Sequence, residues 1–385
     1  MIQKVTSAES ELNEMRRTLE VVIDSESWHP KSVPPELRTS AGSRQVDVLI
    51  ALIYTALVTR PPTVRGFHLS DYWAWLRYIP AIAETADLRL CEEWENVDSH
   101  QKMVLSDELG VGFTTQFMAE VFNCTEFTDT LYVVNVLDPA KFYLKGGAKR
   151  GPRKSPDYIG RDRGSNYIVL ECKGTQSSRA ALKDAIERGK TQKANVSAKG
   201  STRIKHALVA GLFIPQWVVN EGPCIYVADP YREELESLLS EHPRQRVDNA
   251  MTRIWLAKQL ALAGLVAAPA DLCSPELSEL KAFPESSRAE VANRAERAAD
   301  YQVLFDSADL RARVPGAEKL ARAEFSARTP ALILEQLMGT APVSQVISEL
   351  SIRGSKSPWE IHSEEFAAEL TTPLGFGFKL KVEPR

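Results

Sequence analysis

Residues 155–174 read Ser-Pro-Asp-Tyr-Ile-Gly-Arg-Asp-Arg-Gly-Ser-Asn-Tyr-Ile-Val-Leu-Glu-Cys-Lys-Gly, two short runs rich in Tyr, Ile and Val on either side of Asp-Arg-Gly-Ser. Aromatic and β-branched residues fit a pleated surface, and Asp, Gly and Ser are turn formers, so the stretch predicts a β-hairpin turning at 162–165. Side chains alternate faces along a strand. Glu171 and Lys173 therefore point the same way, while Cys172 points into the opposite layer. Asp157 lies upstream of the turn, on the neighbouring strand. Two carboxylates and an amine can therefore converge on one spot.

At 385 residues the chain is long enough for two or three domains. Its 44% hydrophobic and 25% charged residues are those of an ordinary globular chain. No charged-then-apolar pattern opens the sequence and no apolar run reaches a membrane span, so a membrane partner is not expected. The five cysteines, Cys91, Cys124, Cys172, Cys224 and Cys273, are odd in number and never form Cys-x-x-Cys. That spacing argues against a disulfide framework and a zinc ribbon, and predicts a reducing cytoplasm. The net charge of −4 is unevenly spread: residues 141–205 hold 17 Lys and Arg against 5 Asp and Glu, a local +12 that leaves −16 for the rest. Such asymmetry predicts an anionic partner for that one region.

Texture changes twice along the chain. Residues 1–105 read as helical, with helices expected over 9–23 and 44–58 and a third beginning behind Ser70-Asp71 with Trp73 and Trp75. Residues 106–230 read as an α/β unit with a mixed sheet. There a helix starts at Ser106, strands cover 131–136 and 142–144, and 146–154 is a basic loop. The hairpin follows, then a helix over 177–194 and buried strands at 207–214 and 224–227. Residues 231–385 return to helix, over 233–239, 247–265, 277–280, 287–305 and 331–337, and close on an alternating strand at 375–382 that carries Lys379 and Lys381 on one face.

Glu-x-Lys occurs twice, and the second copy, Glu279-Leu280-Lys281, lies in a helix-like stretch where residues two apart do not share a face. Strand context makes the first copy informative. Asp157 and Glu171 are hard oxygen ligands suited to Mg²⁺, or to Mn²⁺ in its place, and the Cys172 backbone carbonyl can add a neutral ligand. Lys173 can orient a water and balance charge growing on a phosphoryl group in the transition state. Beside two carboxylates it stays protonated, so positioning and electrostatics suit it better than a general-base role. Asp162, also upstream of Glu171, sits in the turn, where aspartate is common for backbone reasons. Other motifs fail on spacing. Gly189-Lys190-Thr191 has Asp184 where a phosphate loop needs glycine, and Gly110-Val111-Gly112 is followed by Thr115 instead of a third glycine. The six histidines form no ligand-spaced cluster, and no Gly-x-Ser-x-Gly occurs.

Pro156-Asp157 followed by Glu171-Cys172-Lys173 resembles the motif of the PD-(D/E)xK nuclease superfamily, over about 106–230. The resemblance implies a restriction-endonuclease-like mixed β-sheet core flanked by helices, set between mainly helical N- and C-terminal regions. It implies a metal-dependent nuclease with Asp157, Glu171 and Lys173 as catalytic residues and Asp157, Glu171 and the Cys172 carbonyl on the metal. It further implies nucleic acid as substrate, DNA before RNA. Members often add an acidic residue from the helix before the sheet, for which Glu120, Glu108 and Gln116 are the candidates. They often place a Gln or basic residue on the helix after the lysine, where Lys190, Gln192 and Lys193 stand; an exposed basic helix end is the bland alternative. By analogy with the family, the expected setting is bacterial defence against phage or plasmid DNA, controlled by a protein partner or a homo-oligomer. A catalytically silent nucleic-acid-binding or scaffold protein that keeps the fold is the alternative.

Overall fold

The computed structural model describes residues 15–29, 31–62, 78–137, 156–193, 204–229, 242–297, 301–306 and 320–384. The chain is an α/β protein built on a seven-stranded mixed sheet and a five-stranded antiparallel sheet. In chain order the strands of the first sheet are β1 (Arg16–Ile23), β2 (Gly42–Asp47), β3 (Cys124–Asp129), β4 (Tyr158–Asp162), β5 (Tyr167–Thr175), β6 (Ile204–Phe213) and β7 (Cys224–Ala228). Their order across the sheet is β2-β1-β7-β6-β5-β4-β3.

The middle of the chain follows the expected sequence of helix, hairpin strands, helix and strand. Its first helix begins at Ser99, earlier than Ser106, because Asp98 is the residue that caps it, accepting from the His100 and Gln101 N–H groups at 3.0 Å. In helix order, α1 is Pro35–Ser40, α2 Val48–Thr59, and this long helix α3, Ser99–Phe122. β3, β4 and β5 are antiparallel neighbours, and β6 runs parallel to β5 after the crossover helix α5 (Arg179–Lys193). The expected turn closes β4–β5 through a Ser165 N–H to Asp162 carbonyl bond of 2.9 Å. The residues expected to form a strand at 131–136 instead form helix α4 (Thr130–Leu137). Thr130, Val133, Val134 and Leu137 are buried, an i, i+3, i+4, i+7 face, while Leu131 stays 46% exposed. β-branched composition suggested a strand; spacing settled a helix. The strand expected at 142–144, the loop at 146–154, the tryptophans Trp73 and Trp75, and the helix at 233–239 lie outside the described residues.

The flanking regions are less helical than expected. Residues 16–23 are strand β1, which pairs parallel with β7 (Val21 opposite Ile225) and antiparallel with β2. Thr18, Val21, Val22 and Ile23 are β-branched, and two partner strands are available to them, so pairing overrides the helix expected over 9–23. Helix α2 begins only at Val48, where Asp47 caps it through the Ile50 N–H at 3.1 Å. Every residue of α2 from Val48 to Val58 is buried, as befits a helix apolar all round. It packs against α3 on one side and the second sheet on another.

Beyond residue 241 come α6 (Arg244–Leu262), α7 (Ala267–Leu272), α8 (Glu285–Arg297), α9 (Ala331–Met338) and α10 (Val343–Lys356). The second sheet is interleaved with the last of them, in the order β10-β11-β12-β9-β8. Its strands are β8 (Tyr301–Asp306), β9 (Leu320–Arg328), β10 (Glu360–Glu364), β11 (Ala367–Thr371) and β12 (Gly377–Pro384). The closing strand is thus one of five, and the helix expected over 287–305 stops at Arg297. In β9, Ala323, Phe325 and Ala327 are buried between polar neighbours, a period-two pattern hidden by a helix-like composition. Lys381 meets Glu383 at 3.1 Å, so this outer face is charge-balanced. One apolar core runs from β1 through α2 and α3 to β12. All five cysteines are buried thiols, and among the described residues no helix is long and apolar enough to cross a membrane.

Candidate active site

Asp157, Glu171 and Lys173 meet where β4 begins and β5 approaches its end. Tyr158 stands opposite Leu170, and one further step of that register sets Asp157 opposite Glu171. Here the ladder gives way to a side chain: Asp157 Oδ2 accepts the Cys172 N–H at 2.8 Å. The N–H and C=O of one strand residue leave on the same side, so the Cys172 carbonyl faces the edge that Asp157 occupies. The Cys172 thiol points the other way, as expected, and accepts from Thr114 Oγ1 of α3 at 3.2 Å.

Glu171 has no exposed surface. Its Oε1 is bonded by Lys173 Nζ, its Oε2 is buried with no well-aligned hydrogen-bond partner among the described residues, and the Asp157 backbone N–H draws the carboxyl down from nearby. Burial, then the nearby Asp157, push the Glu171 carboxyl up to about 7, against the pull of Lys173. Burial also raises Asp157, opposed by the Cys172 N–H and Lys173. Two carboxyls thus share one lysine in the pocket, both held above their usual range chiefly by burial. That lysine remains 22% exposed and so reaches solvent from beside a buried carboxylate.

Helices close the site from both faces. α5 lies over it through Gly189, where a Cβ would come within 3.2 Å of Glu171 Cγ and of Lys173 Cε. On the other face α3 crosses β5 so tightly that a Cβ on Gly110 would lie 2.5 Å from the Lys173 carbonyl oxygen. This explains Gly110-Val111-Gly112: Gly110 admits β5 and Gly112 admits α2, whose Ala51 carbonyl and Thr55 hydroxyl occupy the space of a side chain.

The acidic residue that α3 brings to this site is Asp107, which the sequence reading missed. Lys173 acts on Asp107 electrostatically, Asp107 acts on Asp157, and burial raises the Asp107 carboxyl. The three candidates named from sequence have partners of their own, and Glu108 also acts electrostatically on Tyr158, the neighbour of Asp157. Tyr78 donates to Glu108 at 2.6 Å, while Glu120 is paired with Arg44 and accepts from Gln116 Nε2 at 3.0 Å. Glu120 is ten residues beyond Gly110, about 15 Å along the helix. A signal for Asp107 did exist: Ser106, Gly110 and Thr114, small residues at i, i+4 and i+8, mark the face of α3 that meets β5, and Asp107 adjoins it. Asp129 adds a further negative charge near Asp157 and is held by the fully buried Lys258 at 2.6 Å.

Asp162 keeps to the turn, accepting from the Asn166 N–H at 2.8 Å. Lys190, Gln192 and Lys193 occupy the end of α5, and their side chains lie outside the described residues. Part of the charge of the +12 segment is matched by carboxylates, one pair buried and two at the surface. Arg161 is buried between Glu126 (2.8 Å) and Asp248 (3.5 Å), Arg179 pairs with Glu20 at 2.6 Å, and Lys205 pairs with Glu36 at 3.5 Å. The basic residues of 141–154 and 194–203 lie outside the described residues.

Among the described residues no three His, Cys, Asp or Glu side chains form a ready-made metal cluster. The donor set nevertheless suits a hard divalent cation that keeps several waters: two carboxyls raised by burial and then by crowding, one buried oxygen without a well-aligned donor, and one backbone carbonyl on the same edge. No protein-family model, curated protein or solved structure matches the chain.

Proposed function

We propose that this chain is a Mg²⁺-dependent nuclease, with DNA preferred over RNA, working from Asp157, Glu171 and Lys173 in the manner of the PD-(D/E)xK superfamily it resembles. The observation that carries the reading is the Oε2 of a fully buried Glu171, without a well-aligned donor, beside Asp157 and Lys173. A buried carboxylate oxygen without a well-aligned donor costs several kcal/mol on general grounds unless a ligand satisfies it. Asp157, Glu171 and the Cys172 carbonyl would hold the cation, which when bound supplies charge neutralisation and a more acidic water. Lys173, partly exposed, reaches the phosphate side of the site, where it orients the attacking water and stabilises the charge developing on the phosphoryl oxygens. Asp107 adds negative potential at the same mouth and so favours a divalent cation over a monovalent one.

A setting in bacterial defence against phage or plasmid DNA, under a protein partner or by self-assembly, rests on the resemblance alone. A cytoplasmic location accords with five buried cysteine thiols. One observation favours a silent binding module instead: Lys173 already has a partner in Glu171, as in a hairpin whose charges only balance each other.

The test incubates the full chain with supercoiled plasmid, linear duplex, single-stranded DNA and RNA, with Mg²⁺ or with chelator. The expected result is metal-dependent cleavage that falls at least roughly 100-fold in Asp157→Ala, Glu171→Ala and Lys173→Ala, with far-ultraviolet dichroism retained. A folded Lys173→Ala that cuts as fast as the parent overturns the reading. Metal-independent binding of nucleic acid without turnover, unchanged in Lys173→Ala, selects the silent module.

A further inference from the structure

Away from the Asp157–Glu171–Lys173 cluster, α4, α6, α10 and the turn at Pro275–Glu279 surround a cavity of about 410 Å³. That volume lies in the range of small-molecule sites. Its walls combine two chemistries. Val136, Leu137 and Ile347 present apolar surface, and Arg246 and Arg253 outnumber the one carboxylate of the lining, Glu279.

Both arginines are placed by backbone oxygens. Arg246 Nη2 donates to the Leu137 carbonyl at 2.8 Å, which ties the start of α6 to the end of α4. Arg253 is only 3% exposed and donates to the Leu272 and Ser274 carbonyls at 3.1 and 2.5 Å. Burial pulls its guanidinium down to about 10, against the opposing pull of Cys273 and Glu276. A cation held in place at such a site gains from an incoming anion.

The helix ends lining the cavity add to this potential. α10 begins at the wall with Val343 and Ser344, and its N-cap, Pro342, offers no side-chain acceptor. The Gln345 and Val346 N–H groups turn back to the Pro342 carbonyl, at 3.0 and 3.1 Å. The two N–H groups before them have no intrahelical acceptor and stand at the positive end of the helix. α6 likewise starts behind a proline, Pro243, that caps nothing by its side chain.

We propose that this cavity binds a small organic anion, a phosphate or carboxylate borne on an apolar or planar body. The anionic group lies toward Arg246, Arg253 and Ser344, and the body packs on Val136, Leu137 and Ile347. Occupancy is felt at the candidate active site, because α4 runs from Leu137 at the wall to Thr130, whose N–H donates to the Asp157 carbonyl at 3.1 Å.

Phenyl phosphate is a probe with both parts; inorganic phosphate has only the anion and phenol only the body. Calorimetry on the full chain is expected to give millimolar binding of phenyl phosphate, with each control weaker by roughly 10-fold or more. Ser344→Trp at the exposed rim weakens it by a similar factor with the melting temperature near the parent's, and Arg246→Met weakens it as much while also lowering the melting temperature, since the bond to Leu137 is lost. Hydrogen exchange of the amides at 130–137 slows with the probe present. Absence of binding at about 20 mM, equal binding of phosphate or phenol, or binding unchanged in both variants overturns the proposal; unchanged exchange at 130–137 overturns its link to Asp157. No arm uses nucleic acid, so the outcome is separate from that of the nuclease reading.

Discussion

Gly189 controls how closely α5 lies on the Glu171–Lys173 pair. An alanine there would place its Cβ 3.0 Å from Val209 Cγ1 and 3.2 Å from both Glu171 Cγ and Lys173 Cε. Alanine is favoured over glycine inside a helix by about 1 kcal/mol, and that gain opposes the crowding. Gly189→Ala is therefore expected to shift the melting temperature little, while Lys173 moves by a few tenths of an ångström and cleavage slows roughly 10-fold in kcat with KM near the parent's. Steady-state kinetics on a labelled duplex, beside a thermal melt, checks both halves. A variant that melts and cuts like the parent would show that α5 has slack over the lysine.

At the scale of elements, the tightest junction is α3 on β5. A Cβ on Gly174 would overlap the Ser106 carbonyl oxygen, and neither backbone can yield without lifting the helix off the strand. Gly174→Ala is expected to lose about 2–4 kcal/mol in urea unfolding, toward the upper end of overpacking costs because the clash is with backbone. Gly339→Ala is the control: its Cβ would meet nothing closer than 3.4 Å, so it is expected to stay within about 0.5 kcal/mol of the parent. The same junction accounts for a sequence feature that looked like a failed nucleotide fingerprint. Gly110 and Gly112 face two different partners of α3, and two glycines suffice for two close approaches.

Over the whole molecule, buried charge ties the C-terminal helices to the first sheet. Arg161 of β4 meets Glu126 of β3 and donates to Thr252 Oγ1 of α6 at 3.1 Å and Ser351 Oγ of α10 at 2.8 Å. Lys258 of α6 donates to the Val58 and Arg60 carbonyls at the end of α2, at 2.7 and 3.0 Å. Trp359 Nε1, next to β10, donates to the Cys124 carbonyl at 2.7 Å. Burial outweighs Arg161 and lifts the Glu126 carboxyl from 4.5 to about 7. A carboxyl raised on folding holds its proton in the native state while the unfolded chain has already lost it. Stability therefore falls as pH rises from about 4.5 to 7, by up to roughly 3 kcal/mol for this group, and levels off above. Urea midpoints across pH 5–8 are expected to show that decline, shared with Glu171, and Glu126→Gln is expected to flatten it in part. An unchanged slope in the variant would place the titration elsewhere.

What was legible in the sequence was local. The hairpin, the shared face of Glu171 and Lys173, the opposite orientation of Cys172 and the turn role of Asp162 follow from period-two geometry over twenty residues, and α5 and α6 from their own spacing. α4 was legible too, had spacing been weighed above β-branched composition. The rest required partners distant in sequence. Residues 16–23 become a strand because β7, some two hundred residues later, offers an edge; Arg161 leaves the basic surface because Asp248 and Ser351 fold over it. Asp107 reaches the site because Gly110 and Gly174 let two backbones touch. Sequence alone determined which side chains one hairpin could present together, since backbone alternation is local. Only the tertiary structure decided that Glu171 is buried, short of a hydrogen-bond donor and joined by Asp107, since burial and electrostatic crowding depend on what packs around the hairpin.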